Sequence, residues 1–392
     1  MGHRLAGFVI VASALAAGAC GDDPLGIPRA TSLEWAGSAE RTGLAGVPLA
    51  DSVVVVARGP DGPLAGVVVS FTASAGGAAA PAFTVTNADG RAATLWTPAE
   101  GPDSVIATAN GPRAVLRGEG TIASASTIHR GRNNYIEYRA GTLPIVVSAP
   151  HGGTLLPDEI PDRTAGVTVR DRNTELLAEA VAAALEARLG GRPHLVVSYL
   201  HRRKLDPNRE IGEAAGGDPR AEHAWWEFQN LIEHAQARVV ESHGTGLYLD
   251  LHGHGHPIAR IEWGYLLDGD ALALSDEILD QAPWPTRVSI RRLVADNAAT
   301  LSELLRGPDA LGSLLEDEGF PGTPSDVQPG PGVAPFFSGG YNTRRHGSAD
   351  GGPLSGVQIE APFPGVRETA ATREAFAAAL AKAVDRYLQR WY

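Results

Sequence analysis

From residue 127 to the C-terminus, apolar runs of strand length alternate with segments that have helical periodicity. The predicted strands are 143–149, 194–199, 246–251 and 356–361, and the predicted helices are 174–189, 220–242, 296–306 and 367–391. Such alternation is typical of an α/β fold, in which helices cover a central, largely parallel sheet. The composition, 43% hydrophobic with 47 Gly and 28 Pro, indicates a folded, loop-rich chain.

Residues 31–122 differ from the rest of the chain, because short β-type runs there are separated by turns rich in Gly, Pro and Asp. Regular turn punctuation without helical periodicity predicts an all-β sandwich that precedes the α/β domain. The turn at 89–92, followed by Trp96, resembles bacterial immunoglobulin-like domains of the invasin type. That resemblance implies a spacer or adhesive module, joined by the small-residue linker 123–127 to a domain that spans 127–392.

The N-terminal segment has a targeting pattern, with an apolar stretch at 5–15, small residues at 16–19 and the only cysteine at Cys20. It resembles a bacterial lipoprotein signal, although Ala17 stands where such signals usually have Leu. The resemblance implies a signal peptide at 1–19, lipidation of Cys20, and a tether at 20–30. The protein would then be anchored by lipid in the bacterial cell envelope, at the outer membrane or on the periplasmic face. The alternative is an ordinary secreted protein with one idle cysteine.

Bulk charge limits the kinds of partner that this chain can take. The net charge of −12 argues against nucleic acid, because phosphate binding needs a basic face. No internal run of about 20 apolar residues predicts a membrane span, so contact with a membrane is expected only through the lipid anchor.

Two histidines, His151 and His252, each follow a predicted strand and lie in Gly-rich sequence. In open α/β sheets the loops beyond the carboxyl ends of the strands form the ligand crevice, so the two imidazoles are expected to meet there. Neutral imidazole is a preferred zinc ligand, and catalytic zinc usually has three protein ligands plus water. The sequence therefore predicts a metallohydrolase. Asp250 precedes His252 by two residues and is expected to orient an imidazole.

Six short motifs follow one another in the α/β domain: APHGG at 149–153, RDRNT at 170–174, DPNR at 206–209, DLHGHG at 250–255, FSGGY at 337–341 and GVQIE at 356–360. In this order they resemble the N-formylglutamate amidohydrolase family over nearly the whole domain. The sequence departs from the family at Pro207 and in the divergent segment 216–226. The resemblance implies a three-layer α/β/α mixed sheet of zinc-carboxypeptidase or phosphorylase-hydrolase type, and an enzyme that hydrolyses C–N bonds.

The resemblance also implies one zinc ion, with manganese or cobalt as alternatives. Its ligands would be His151, His252 and Asp171, which matches the family's acidic position before a helix, and Glu159 is the rival third ligand. Glu360, in a strand of Val and Ile, would be the general base that deprotonates a metal-bound water and later hands the proton to the leaving amine. Burial is expected to raise its pKa. The alternative is a structural Glu360 paired with an Arg.

Substrate contacts are expected from several polar residues of the same motifs. Asn208 and Arg209 would clamp a substrate carboxylate, because a guanidinium offers a bidentate fork. The alternative for Arg209 is an ion pair with Glu210 or Asp206. Arg202 and Arg203 are the candidates for polarising the scissile carbonyl, and Arg202 is the one selected as catalytic.

A Gly-flexed loop carries two further candidates, Tyr341 and Arg344, which are expected to close over the substrate. Other histidines are given plainer interpretations. His254 and His256 are expected either to support the site or to be solvated loop residues, and the surface is expected to hold His129, His223, His234 and His243.

Two functions of different classes remain open from the sequence. The first is an exported, zinc-dependent amidohydrolase that acts on an N-acyl amino acid or peptide-like substrate bearing a carboxylate. The second is a non-catalytic surface adhesin or binding lipoprotein with a degenerate hydrolase domain. A serine hydrolase is a weaker third interpretation, because no Gly-x-Ser-x-Gly motif is present and Ser338 has no evident base.

Overall fold

The structure, a computed structural model, describes residues 28–37, 40–74 and 76–392. The predicted signal peptide at 1–19, the lipidation site Cys20 and most of the tether at 20–30 lie outside the described residues. Among the helices of the described part, none combines the length and the apolar character that a bilayer crossing requires.

The described residues before 122 form two five-stranded sheets around one apolar core. The strands are β1 (Ser32–Ala36), β2 (Glu40–Leu44), β3 (Val53–Gly59), β4 (Gly62–Pro63), β5 (Val68–Ala73), β6 (Ala78–Ala80), β7 (Phe83–Val85), β8 (Arg91–Thr97), β9 (Gly101–Thr108) and β10 (Arg113–Thr121). Burial alternates along β3, β8 and β9, because successive side chains of a strand point to opposite faces. Trp96 is completely buried between the sheets.

The part of the chain after residue 122 contains an eight-stranded mixed sheet. Its strands are β11 (Ile128–Arg130), β12 (Ile136–Arg139), β13 (Ile145–Ala149), β14 (His194–Ser198), β15 (Leu247–His254), β16 (Ile261–Gly264), β17 (Gly322–Thr323) and β18 (Ser355–Pro362). The order is β11-β12-β14-β13-β15-β18-β16-β17. The central strands β14, β13, β15 and β18 are mutually parallel, so β13, β15 and β18 direct their carboxyl ends to one edge of the sheet.

Helices cover both faces of this sheet. They are α1 (Thr174–Leu189), α2 (Ile211–Ala215), α3 (Pro219–His243), α4 (Gly269–Leu272), α5 (Asp276–Leu279), α6 (Arg291–Asp296), α7 (Leu301–Arg306), α8 (Leu311–Glu316), α9 (Tyr341–His346) and α10 (Ala370–Trp391). Val147 of β13 shares a core with α1 and α10, whereas its neighbour Val146 shares a core with α3. The mixed α/β class that the sequence predicts is confirmed.

The single helix predicted over 296–306 is wrong, since α6 ends at Asp296 and α7 begins only at Leu301. Asn297 has extended backbone angles, and Thr300 begins the second helix. The Thr300 hydroxyl accepts a hydrogen bond from the Glu303 amide, while the Glu303 carboxylate accepts one from the Thr300 amide. Such a capping box fixes the start of a helix. It starts α7 after Thr300, although the apolar periodicity of the sequence runs on from 296.

Two of the histidines expected at the surface are buried, because α3 packs against other elements on several sides. His234 lies 2.9 Å from the backbone oxygen of Ala45, which directly follows β2, and His223 lies beside the buried carboxylate of Glu227. His129 is half-buried and His243 is exposed.

Candidate active site

His151 and His252 meet at the carboxyl edge of the sheet, as their positions after predicted strands suggested. His151 follows β13 directly, while His252 lies within the longer β15, and the two strands are neighbours in parallel register. The ring centroids are 4.8 Å apart, at an interplanar angle of 73°. Both side chains are almost completely buried.

Each imidazole is held by a buried aspartate through the same ring nitrogen. Asp206 Oδ1 lies 2.6 Å from Nε2 of His151, and Asp250 Oδ2 lies 2.8 Å from Nε2 of His252. A carboxylate only accepts hydrogen bonds, so Nε2 of each neutral ring carries the proton. Nδ1 of each ring is therefore the unprotonated nitrogen, which is the state that a metal ligand requires.

Asp171 completes the cluster from the segment that precedes α1. Its Oδ2 lies 3.3 Å from Nδ1 of His151 and 3.5 Å from Nδ1 of His252. One donor atom from each of the three residues lies within 4.8 Å of the others. The rival Glu159 is exposed and accepts hydrogen bonds from the Tyr135 hydroxyl at 2.6 Å and from Asn133 at 2.8 Å. The structure thus brings Asp171, and not Glu159, to the two histidines.

Three electron-pair donors that face one point repel each other unless a cation lies between them, and the electrostatics of the cluster reflect this. Burial alone would lower the pKa of His252, but the carboxylates of Asp250, Asp171 and Glu360 raise it to about 10. Burial would raise the pKa of Asp171, but the two imidazoles hold it far below its ordinary value when they carry a proton on Nδ1, through hydrogen bonds and opposite charge. The arrangement therefore has a strong preference for a bound cation, whether proton or metal ion.

Arg202 was expected to polarise a substrate carbonyl, and the structure gives its guanidinium two carboxylate partners. Nε donates to Asp206 Oδ2 at 3.0 Å, and Nη1 donates to Asp171 Oδ1 at 3.3 Å. The side chain is nearly buried. Arg202 therefore bridges Asp206, the partner of His151, and Asp171, and holds both carboxylates in place.

Glu360 lies on β18 directly beside His252 in the parallel register. Its Oε1 accepts a hydrogen bond from Gln358 at 2.8 Å, whereas Oε2 is buried and has no hydrogen-bond partner among the described residues. Burial raises the pKa of Glu360 to about 8, and the carboxylates of Asp171 and Glu262 add to the effect. No arginine forms a salt bridge with Glu360 in the described part of the chain, which disfavours the structural alternative.

A cavity of about 590 Å³ opens at this edge of the sheet. Seven of the predicted catalytic, substrate-binding and metal-binding residues line it: His151, Asp171, Arg202, Asn208, Arg209, His252 and Glu360. The backbone must pass very close to Arg367 here, because a Cβ at Gly253 would meet its guanidinium. That guanidinium donates to the backbone oxygens of Ala361, Arg172 and His254, so Arg367 holds the loops around the cavity.

Asn208 and Arg209 differ in how much they offer to a ligand. Asn208 is buried, and its Oδ1 accepts the amide of Asn342 at 2.8 Å, which indicates that it anchors the first turn of α9. Arg209 is partly exposed and pairs with Glu213 at 3.2 Å, rather than with the Glu210 or Asp206 considered from the sequence. Arg209 remains available at the cavity wall.

The prediction that Tyr341 and Arg344 lie on a loop over the substrate is wrong. Both belong to α9, and neither lines the cavity. The Tyr341 hydroxyl accepts a hydrogen bond from Arg345 at 2.9 Å and its ring faces Trp225, while Arg344 is exposed. The glycines before Tyr341 form the turn that leads into the first residue of α9. They therefore do not belong to a loop that could close over the substrate.

Several residues that line the cavity or lie behind it were given no role in the sequence analysis. Arg172 is exposed at the rim, with its guanidinium carbon 4.2 Å from the centroid of the Phe363 ring, and it has no carboxylate partner among the described residues. Phe337 contributes a partly exposed ring. Glu262 is fully buried behind the cavity in β16. The sequence signal that could have found Glu262 was its position as the one acidic residue in the otherwise uncharged strand IEWG.

No family model and no curated protein matches this chain. Among solved structures, the chain is similar to N-formylglutamate amidohydrolase from Ralstonia eutropha JMP134, with 17% identity, a TM-score of 0.38, and coverage of 63% of this chain and 94% of that one. A gene product of Agrobacterium tumefaciens is similar at 12% identity and a TM-score of 0.37, with coverage of 65% and 95%. The D0-D1 domain of intimin is similar over 31% of this chain and 59% of its own length, with 16% identity and a TM-score of 0.19. All three TM-scores are low, so the chemistry has to be judged from the side chains of the site.

Proposed function

We propose that this protein is a metal-dependent amidohydrolase that cleaves the amide C–N bond of an N-acyl amino acid or peptide-like substrate. One observation carries the proposal. The imidazole Nδ1 atoms of His151 and His252 converge with Asp171 Oδ2 in a cavity that also contains the unpartnered Oε2 of Glu360. Two imidazole nitrogens and one carboxylate oxygen are a common ligand set of catalytic zinc.

The residues present fit one divalent cation. His151, Asp171 and His252 would hold it, with Asp206 and Asp250 fixing the proton on the far side of each ring. Zinc is the favoured ion, and manganese or cobalt suit the same ligands. When bound, the ion would polarise the scissile carbonyl and lower the pKa of a water molecule.

Glu360 is the proposed general base. A pKa of about 8 places its proton affinity near neutral pH, where a base is most effective. Its unpartnered Oε2 can take a proton from water without first breaking a hydrogen bond to another described residue.

The rest of the cavity suits a substrate with both a carboxylate and an apolar part. Arg209 and Arg172 present cationic groups at the wall and the rim. Exposed apolar side chains lie nearby, including Val169 at 74% exposure and Phe337 at 44%. Exposed apolar groups beside cations are typical of a binding surface rather than of an inert one.

The decisive first experiment is elemental analysis of the purified full chain. We expect about one zinc per chain in the wild type, its loss in His151→Ala, and its retention in Glu159→Gln, in which the exposed rival ligand is replaced. Loaded protein would then be screened against N-acyl amino acids and peptides. Failure to bind metal even after zinc is supplied would overturn the proposal and favour the binding-lipoprotein alternative.

We further propose that the protein is exported and anchored by lipid at Cys20 in the bacterial cell envelope. The support is the sequence pattern alone, because Cys20 lies outside the described residues. A Cys20→Ser variant should be released from membranes on cell fractionation, and unchanged retention would refute lipidation. The immunoglobulin-like character of the sandwich and the zinc-carboxypeptidase type of the catalytic domain likewise stay predictions.

A further inference from the structure

A third imidazole–carboxylate pair lies at the same cavity, separate from the metal cluster. Nδ1 of His256 lies 2.8 Å from Oε1 of Glu262, whose carboxylate is completely buried in β16. The other oxygen, Oε2, accepts the backbone amide of Phe337 at 2.9 Å. The ring of His256 stacks on the ring of Phe337 with centroids 4.6 Å apart and an interplanar angle of 21°.

These contacts fix both the orientation and the proton of His256. Because Glu262 accepts a hydrogen bond from Nδ1, that nitrogen carries a proton. No described residue forms a hydrogen bond with Nε2 of His256, and the side chain remains partly exposed at 19% where it lines the cavity. His256 therefore presents to the cavity the one ring nitrogen that can gain and lose a proton.

The neighbouring His254 has a different role. Its Nε2 lies 2.8 Å from the backbone oxygen of Arg260, and its Nδ1 accepts the backbone amide of His256 at 3.1 Å. Both ring nitrogens are thus engaged with backbone. A second metal ion on His254, His256 and Glu262 is disfavoured, since His254 has no lone pair left to give.

The cost of burying Glu262 indicates that the pair has a purpose beyond packing. A buried carboxylate without a charged partner is strongly unfavourable. Among the described residues, the only salt-bridge partner of Glu262 is His256, and it is a cation only when protonated. The Glu262 carboxylate is thus the charged group that orients the imidazole, and its contact with Nδ1 leaves Nε2 as the nitrogen that can exchange a proton with a bound molecule.

We propose that His256, oriented by Glu262, donates the proton that the leaving amine requires, and that Glu360 acts on water alone. The family resemblance would assign both proton transfers to Glu360. An amide nitrogen is a poor leaving group as an anion, so it needs a proton when the C–N bond breaks. If a separate acid supplies that proton, Glu360 does not have to carry one across the site. This inference rests on the proposed amidohydrolase function.

The proton balance of the step closes without any other reactant. Water adds to the acyl carbon while Glu360 takes one of its protons. The C–N bond then breaks, its electron pair stays on nitrogen, and nitrogen takes the Nε2 proton of His256. Acid and amine leave, and transfer of a proton from Glu360 to the neutral imidazole, directly or through solvent, restores both groups.

The test compares two leaving groups on one acyl group. One substrate is an N-acyl amino acid whose amide bond the wild type hydrolyses. The other is the p-nitrophenyl ester of the same acyl group, and its p-nitrophenolate leaves without needing a proton. His256→Gln and Glu262→Gln should lose about 100-fold or more in kcat on the amide and only a few-fold on the ester. Metal content and melting temperature of each variant are measured alongside, and both should match the wild type.

Chemical rescue provides a readout that a purely structural role would not give. Added imidazole should restore amide hydrolysis in His256→Ala and leave the ester rate unchanged. Equal losses on both substrates, or no loss on either, would overturn the role of His256 while leaving the amidohydrolase proposal in place. A zinc-loaded wild type that hydrolyses no amide in the screen would instead overturn the proposed function itself, and the role of His256 with it.

Discussion

Asp206 Oδ1 lies 2.6 Å from Nε2 of His151, and both side chains are shielded from solvent. Asp250 holds His252 in the same way, and its other oxygen accepts a hydrogen bond from Ser148 at 2.5 Å. Each imidazole is thus held in one ring orientation, with a proton fixed on Nε2, before any ion arrives. Such preorganisation is expected to contribute to metal affinity as much as to structure.

The first prediction concerns these two aspartates. Asp206→Asn and Asp250→Asn should each weaken zinc binding by about 10- to 100-fold, because the amide no longer fixes the proton on Nε2 or adds negative charge behind the ring. Competition with a chromophoric chelator measures the affinity. Glu159→Gln, an exposed carboxylate away from the cluster, is the matched control and should bind zinc as the wild type does. Wild-type affinity in both aspartate variants would show that the pairs serve folding only.

How far the sequence reaches into this site depends on the range of each interaction. His252, Asp250 and Glu360 were predictable, because their positions on or after apolar strands place them at one edge of a parallel sheet. The choice of Asp206 as the partner of His151 was not, since it depends on contact between segments 55 residues apart in the chain. Tyr341 was misplaced because glycines can precede either a mobile loop or a helix start, and only tertiary packing against Trp225 decides between them.

The second prediction separates metal binding from proton transfer. Glu360→Gln should retain the metal, since Glu360 is outside the ligand set, but should lose about 100- to 10,000-fold in kcat, because the amide cannot accept a proton from water. Elemental analysis and steady-state kinetics on the same preparation test both halves. Full activity in Glu360→Gln would refute the base assignment.

The third prediction concerns recognition of a substrate carboxylate. Arg209→Ala and Arg172→Ala should raise KM for an N-acyl amino acid by about 10- to 100-fold, as removal of a charge-assisted hydrogen bond costs about 1.5–3 kcal/mol. The carboxamide analogue of the same substrate should be affected much less. Arg344→Ala is the control, because Arg344 is exposed and lies outside the cavity. Equal effects on the acid and the carboxamide would mean that the arginines do not read the carboxylate.

The last prediction concerns stability in acid, through two histidines far from any ligand role. Burial lowers the pKa of His346 to about 3, and burial lowers the pKa of His194 to about 4. Below pH 6.5, the ordinary histidine pKa being about 6.5, these two histidines bind protons in the unfolded chain. In the folded protein they stay neutral until the pH falls to their lowered pKa values. The resulting stability is complete above pH 6.5 and is lost as pH falls, by about 2 kcal/mol per histidine at pH 5.

A His346→Gln variant isolates one of these contributions. His346 donates from Nε2 to Gln229 at 2.6 Å, and a glutamine amide can donate in its place without titrating. Denaturant unfolding at pH 7 and pH 5 should show the variant losing about 2 kcal/mol less than the wild type between the two conditions. His194→Gln should behave alike, and the double variant should show the sum, since the two sites share no partner. An identical pH dependence in wild type and variants would mean that these imidazoles take up protons within the folded protein.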